Sequence, residues 1–197
     1  MCSVIGFSGQ YESFTLEKIF FNSQIRGVHA FGYAFFCDKE LIVKKHFNYN
    51  DFLKSIHNEK PNKFIAHFRY STSGDYLIEQ NNQPIFKNNQ AMVFNGVISQ
   101  KSLDEMRKEY DCPIESDNDG WILFDKFFDL EQLKDTSMTF ASLFFKNNQI
   151  TSLRNKKRPL WKGVKNKNLF IASTNDILTR SGIDNASEIK PFSHVQW

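Results

Sequence analysis

Cysteine, proline and glycine are all scarce in this chain: 3, 5 and 9 of 197 residues. With so little proline and glycine there is no Pro/Gly/Ser-rich linker, and no internal repeat or low-complexity tract breaks the chain. One domain over residues 1–197 is therefore expected, long enough for one sizeable core and short for two. The cysteines, Cys2, Cys37 and Cys112, are odd in number and not spaced as metal ligands, so a reduced, cytoplasmic setting without a bound metal is expected. No apolar run approaches the ~20 residues of a membrane helix. No basic segment leads into an apolar stretch with a cleavage site, as a secretory signal requires. A net charge of +3 is too mild to imply nucleic-acid binding.

What is abundant is phenylalanine, at 21 residues, together with Lys and Asn. All three have AT-rich codons, which points to an AT-rich genome such as that of a phage or low-GC bacterium. At 41% apolar and 24% charged residues the balance is that of a globular domain. Alternation and β-branched or aromatic enrichment predict strands over Cys2–Ser8, His29–Cys37, Leu41–Lys45, Phe64–Tyr70 and Ala91–Ile98. Near the C-terminus they predict Thr139–Phe145, Gln149–Arg154, Asn168–Ser173 and Ser193–Trp197. Helical spacing covers Phe14–Ile25, Asp51–His57, Ser102–Tyr110 and Asp119–Leu130. The expected class is α+β with largely antiparallel sheets.

Several short segments can carry chemistry. Methionine aminopeptidase removes Met1 when a small residue follows, which would leave Cys2 with a thiol and a free α-amine. With unperturbed pKa values of about 8.5 and about 8, the amine can serve as the thiol's base without a histidine. Position 2 could equally be just a small residue starting a strand. Arg69 stands at a strand end before Ser71, Thr72 and Ser73, and its planar fork suits a carboxylate; a surface ion pair and an ordinary turn are the plain alternative. Asn95-Gly96 reads by default as a tight hairpin turn, but its apolar flanks also allow an amide and an N–H at a buried strand end, the donors of an oxyanion hole. Ser116 or Asp117 can cap the following helix, and Asp117 can also bind an ammonium group. Arg26-Gly27 reads as a helix C-terminus. The basic run from Arg154 to Lys167 reads as a solvated hairpin, with an acidic or phosphate-bearing partner as the alternative.

Taken in order, these pieces resemble the class II glutamine amidotransferase domain of the N-terminal nucleophile (Ntn) hydrolase fold, over almost the whole chain. Met1-Cys2-Ser3-Val4-Ile5-Gly6 is similar to the family's opening, and Ile25 to Gly32 to its Arg-Gly segment. His67 to Gly74 resembles its His-x-Arg-Tyr-x-Thr-x-Gly loop. Asn82-Gln83-Pro84 and Asn95-Gly96 are similar to its Asn-x-Gln-Pro and Asn-Gly pair. Ser116-Asp117, Arg158-Pro159-Leu160 and Ala172-Ser173 match later signatures. The departures are Ser3 for Gly, Asp119 for Glu, Asn155 for a frequent Asp, and Ser73 where the synthase branch carries His.

The resemblance implies a four-layer αββα sandwich of two mainly antiparallel sheets that hydrolyses L-glutamine to glutamate and ammonia through a Cys2 thioester, without a cofactor. Cys2 would be nucleophile and base, and Asn95 and Gly96 would hold the oxyanion. Arg69 and Thr72 would take the α-carboxylate and Asp117 the α-ammonium, while Arg26 would order the nucleophile. The chain stops about where the family's glutaminase domain ends, so the ammonia is expected to pass to a separate synthase chain or the domain to stand alone. A catalytically silent regulatory or assembly module, or an Ntn hydrolase of another amide, are the alternatives.

Overall fold

A computed structural model describes residues 1–197 except Ser73, Pro113, Asp135 and Thr136, and at Gln132 the backbone alone. In chain order the elements are β1 (Ser3–Ser8), α1 (Ser13–Ser23), β2 (Ala30–Cys37), β3 (Glu40–His46), α2 (Tyr49–Glu59) and β4 (Lys63–Arg69). Then come β5 (Ile85–Lys87), β6 (Gln90–Val97), α3 (Leu103–Tyr110), α4 (Gly120–Lys126), β7 (Thr139–Lys146) and β8 (Gln149–Arg154). The chain closes with β9 (Trp161–Lys165), β10 (Asn168–Ala172), α5 (Asn175–Arg180), β11 (Ser187–Glu188) and β12 (Val195–Gln196).

The strands form two antiparallel sheets, ordered β11-β9-β10-β1-β4-β2-β3 and β12-β8-β7-β6-β5. Because strand side chains alternate between faces, each sheet sorts its residues into two cores. On β1, Ile5 and Phe7 pack outward with Leu16, Ile19 and Phe20 of α1, Phe52 of α2 and Leu178 of α5. Val4 points the other way, into a shared core with Ile65, Val93, Ala141, Leu143 and Ile171 drawn from both sheets. The second sheet's far face, with Met92, Phe94, Phe140 and Phe144, packs on Trp121, Ile122 and Leu123 of α4 and Met106 of α3. The result is the αββα sandwich that the resemblance implies, within the antiparallel α+β class that the sequence pattern predicts.

Four hairpins turn on adjacent residues of positive φ: Asp38-Lys39, Asn88-Asn89, Asn147-Asn148 and Asn166-Lys167. That geometry matches the twist of the strands it joins, and Asn and Asp tolerate it best. Asn95-Gly96 is not such a turn. Both residues lie within β6, opposite Ala141 and Phe140 of β7. A Cβ at Gly96 would fall 1.8 Å from the Thr139 carbonyl oxygen, so close strand approach is what requires glycine there.

Other expectations are corrected. The helix predicted to Leu130 ends at Lys126; Phe127 still packs on Phe144, so the apolar period outlasts the helix. Neither Ser116 nor Asp117 caps α4: the Ser116 hydroxyl accepts from the Trp121 indole N–H, and Asp119 holds the cap position. At Arg26-Gly27 there is no glycine stop, since α1 ends at Ser23, three residues before Arg26, with Gln24 as its cap. Arg154 is no solvated residue: it is buried, pairs with Glu188 at 3.0 Å and donates to the Arg158 carbonyl. Among the described residues no helix is long and apolar enough to cross a membrane.

Candidate active site

Sheet register builds the site. Paired residues on neighbouring strands share a face, so His67, opposite Val4 of β1, faces between the sheets, and Arg69 two residues on does the same. Cys2, two residues before Val4, continues that face at the end of β1. From the second sheet Asn95 arrives on the same face as Val93. Cys2, His67, Arg69, Tyr70, Thr72, Gln83, Phe94, Gly96 and Asp117 to Asp119 line one small cavity at this end of the sandwich. Every sequence-predicted site residue except Arg26 and Asn95 is on that wall, and those two hydrogen-bond to the Cys2 backbone.

The Cys2 N–H donates to Asn95 Oδ1 at 3.2 Å. Asn95 is buried and its Nδ2 has no hydrogen-bond partner among the described residues. A buried donor left unmet is costly, which marks Nδ2 as waiting for an acceptor. The Cys2 sulfur lies 3.5 Å from the Tyr70 N–H, and Arg26 Nε donates to the Cys2 carbonyl at 3.1 Å. Gly27 makes that reach possible: a Cβ there would come within 2.3 Å of the Phe68 carbonyl, so the segment after α1 lies flat over the end of β4. Burial pushes the Cys2 thiol above its ordinary value, opposed by the Tyr70 backbone, the terminal ammonium, Arg69 and Arg26. Met1 precedes Cys2 here, and its thioether sits 3.0 Å from Arg158 Nη1 and 3.8 Å from Arg26 Nη2.

Arg69 differs from the sequence picture of an open fork. Its Nη1 donates to the Asn81 carbonyl at 2.8 Å and to Asn82 Oδ1 at 2.6 Å, and its Nη2 to Ser71 Oγ and the Gly74 carbonyl. A buried guanidinium must be met, so it gathers the loop that follows its own strand. Burial lowers its pKa, while Cys2 and Asp75 raise it. Asp117 is fixed through its N–H to Asn81 Oδ1 at 3.0 Å, which leaves its exposed carboxylate at the cavity mouth beside Thr72. Ser73 lies outside the described residues.

Three organisers were given no role by the sequence reading. Asp119 Oδ2 accepts from the Ile98 and Ser99 N–H groups at 2.6 and 3.1 Å, tying α4 to the strand that carries Asn95; burial raises its pKa against those backbone bonds. The Gln83 side chain accepts from the Phe94 N–H at 2.6 Å, continuing the sheet edge beyond β5. His29 Nδ1 accepts from the Ser71 N–H at 2.9 Å, with its ring stacked on Tyr70 and Tyr76. Asn82 and Gln83 carried a signal in their motif; a lone His at a strand start carries none.

No family model and no curated protein matches the sequence. Solved structures do. Glutamine phosphoribosylpyrophosphate amidotransferase from B. subtilis, complexed with ADP and GMP, superposes with a TM-score of 0.74 at 18% identity over 99% of this chain and 47% of its own. This chain has the class II glutamine amidotransferase fold. An allosteric regulatory enzyme of purine biosynthesis gives the same TM-score and identity over 99% of this chain and 46% of that one. A glutamine aminotransferase class-II domain protein from Silicibacter pomeroyi gives 0.65 at 13% identity, over 99% of this chain and 94% of its own. The chain thus spans just under half the length of the first two of these proteins.

His67 gives this amidotransferase fold a measurable acid sensitivity. Burial, with Arg69 nearby, holds its pKa at about 3, whereas unfolded it titrates near ~6.5. Between those values the unfolded chain carries the extra proton, so stability falls as pH is lowered through that window, by about 1.4 kcal/mol per unit from this group. Urea unfolding of His67→Phe should therefore show a slope against pH shallower by that amount; an unchanged slope would contradict it.

Proposed function

We propose that residues 1–197 form a single glutaminase domain that hydrolyses L-glutamine to glutamate and ammonia from a mature N-terminus at Cys2. The supporting observation is the Cys2 nitrogen 3.2 Å from Asn95 Oδ1, with the Nδ2 of the same amide buried and unmet. Asn95 can then orient the freed amine with its Oδ1 and donate from its Nδ2 to a developing oxyanion.

The Cys2 sulfur attacks the side-chain carbonyl carbon as its proton passes to the α-amine. The new C–S bond displaces the carbonyl electron pair onto oxygen, which lies against Asn95 Nδ2 and the Gly96 N–H. The carbonyl re-forms as the C–N bond breaks, and the α-ammonium of Cys2 gives its proton to the departing nitrogen, releasing NH3. Water, losing a proton to the amine, adds to the thioester; the C–S bond breaks, the sulfur regains that proton and glutamate leaves. At the mouth the substrate carboxylate exchanges with Ser71 and Gly74 at Arg69 Nη2, while the Nη1 bonds hold the loop. The α-ammonium pairs with Asp117, and Thr72 adds its hydroxyl. No step calls for a cofactor. The ammonia passes to a separate synthase chain.

Met1 stands across this mechanism, because it makes the Cys2 nitrogen an amide and sets its side chain against Arg26 and Arg158. A glutamate-release assay on protein with Met1 removed tests the reading, and the absence of glutamate would refute it. Asn95→Ala should lower kcat by about 10²–10³-fold with KM little changed. A loss under threefold would remove Asn95 from the oxyanion site.

A further inference from the structure

We propose that His67 receives the amide nitrogen of the substrate and holds the ammonia released from it, an inference that rests on the glutaminase reading above. His67 faces between the sheets on β4, opposite Val4 of β1 and Gly32 of β2. It therefore lies one side-chain step, about 6–7 Å along the strand, deeper than the row of Cys2 and Arg69. It lines the same cavity as Cys2, Gly96 and Asp119.

The ring is 1% exposed, and neither Nδ1 nor Nε2 has a hydrogen-bond partner among the described residues. The Phe94 backbone is near enough to favour a charged ring, but it does not meet either nitrogen in hydrogen-bond geometry. Two unmet polar atoms on one buried side chain are costly, and in a folded protein they call for an occupant. Burial keeps the ring neutral, so it offers one N–H donor and one lone pair.

The lone pair fits what the rest of the site leaves over. The carbonyl oxygen goes to Asn95 and Gly96, and both α-groups go to Arg69 and Asp117. The amide nitrogen remains, with two N–H groups that need an acceptor. Once the C–N bond has broken and the Cys2 ammonium has supplied its proton, the nitrogen is NH3, with three N–H groups and a lone pair. A neutral imidazole meets either species without itself gaining or losing a proton. A charged ring would have no lone pair to offer.

The test compares two reactants on protein with Met1 removed. L-Glutamine carries the amide nitrogen; its diazoketone analogue keeps both α-groups and the carbonyl but has no amide nitrogen, and it alkylates Cys2. His67→Phe should lose about 10–100-fold in kcat/KM on glutamine while the rate of diazoketone alkylation stays within threefold. His67→Gln, which restores a side-chain acceptor, should recover part of the glutamine turnover. Unchanged turnover in His67→Phe, or the same loss on both reactants in both variants, overturns the inference. Wild type that alkylates but releases no glutamate would instead refute the glutaminase reading.

Discussion

Cys2→Ala is expected to release no glutamate above background, a loss of about 10⁴-fold or more, with its unfolding midpoint near that of wild type. Alanine is small, so Met1 is still removed and the α-amine, its Asn95 contact and the cavity all persist; the sulfur alone is gone. Among the described residues Cys2 is the one thiol on the cavity wall, since Cys37 is exposed on a hairpin and Cys112 packs in the core beneath α4. Among the described residues no second thiol can take over. Glutamate release by the variant above a few per cent of wild type would mean that the hydrolysis happens elsewhere.

Arg69→Ala should cost nearly as much, for two separable reasons. One is binding: a site that pairs both charged ends of glutamine loses much of its grip when one end is left unpaired, by about 10³-fold or more in kcat/KM. The other is architecture, because Asn81, Asn82, Ser71 and Gly74 all lean on the guanidinium. Substrate analogues divide the two. Wild type should strongly prefer glutamine to γ-aminobutyramide, which lacks the α-carboxylate, and in Arg69→Ala that preference should collapse. Arg69→Lys should not rescue it, since a point charge cannot span the contacts of a planar fork. A variant that hydrolyses glutamine with unchanged efficiency, or keeps the full preference, would remove Arg69 from substrate recognition.

Much of the sandwich was legible because its longer strands are apolar, β-branched or aromatic runs, but their faces were not: Val4 and Ile5, like Met92 and Val93, are all apolar and buried in different cores. Short elements were not legible either. Ile85–Lys87 has three residues, too few to show a period, and Trp161–Lys165 hides its alternation inside the lysine-rich run. Asn175–Arg180 is too brief for a helical repeat to stand out. The α4 region failed in the opposite direction, since Phe127 and Leu130 keep the apolar spacing of a helix that has already ended.

The candidate site was legible in its motifs but not in its bonding. Cys2, Asn95 and Arg69 could be picked out by type and order, yet a strand residue such as Asn95 looked like a turn because the identity of its neighbour, Gly96, is set by the Thr139 carbonyl of another strand. Asp119 and His29 act through backbone groups at Ile98, Ser99 and Ser71, and a backbone N–H leaves no trace in a sequence. Arg154 was misread for the same reason: a run of cations says nothing about which one the fold encloses.

The decisive measurement is the intact mass and peptide map of protein from its native host after exposure to the diazoketone analogue of glutamine. The account predicts a chain lighter by one methionine and carrying a single adduct, on Cys2. A chain that keeps Met1, or an adduct on any other residue, would contradict it.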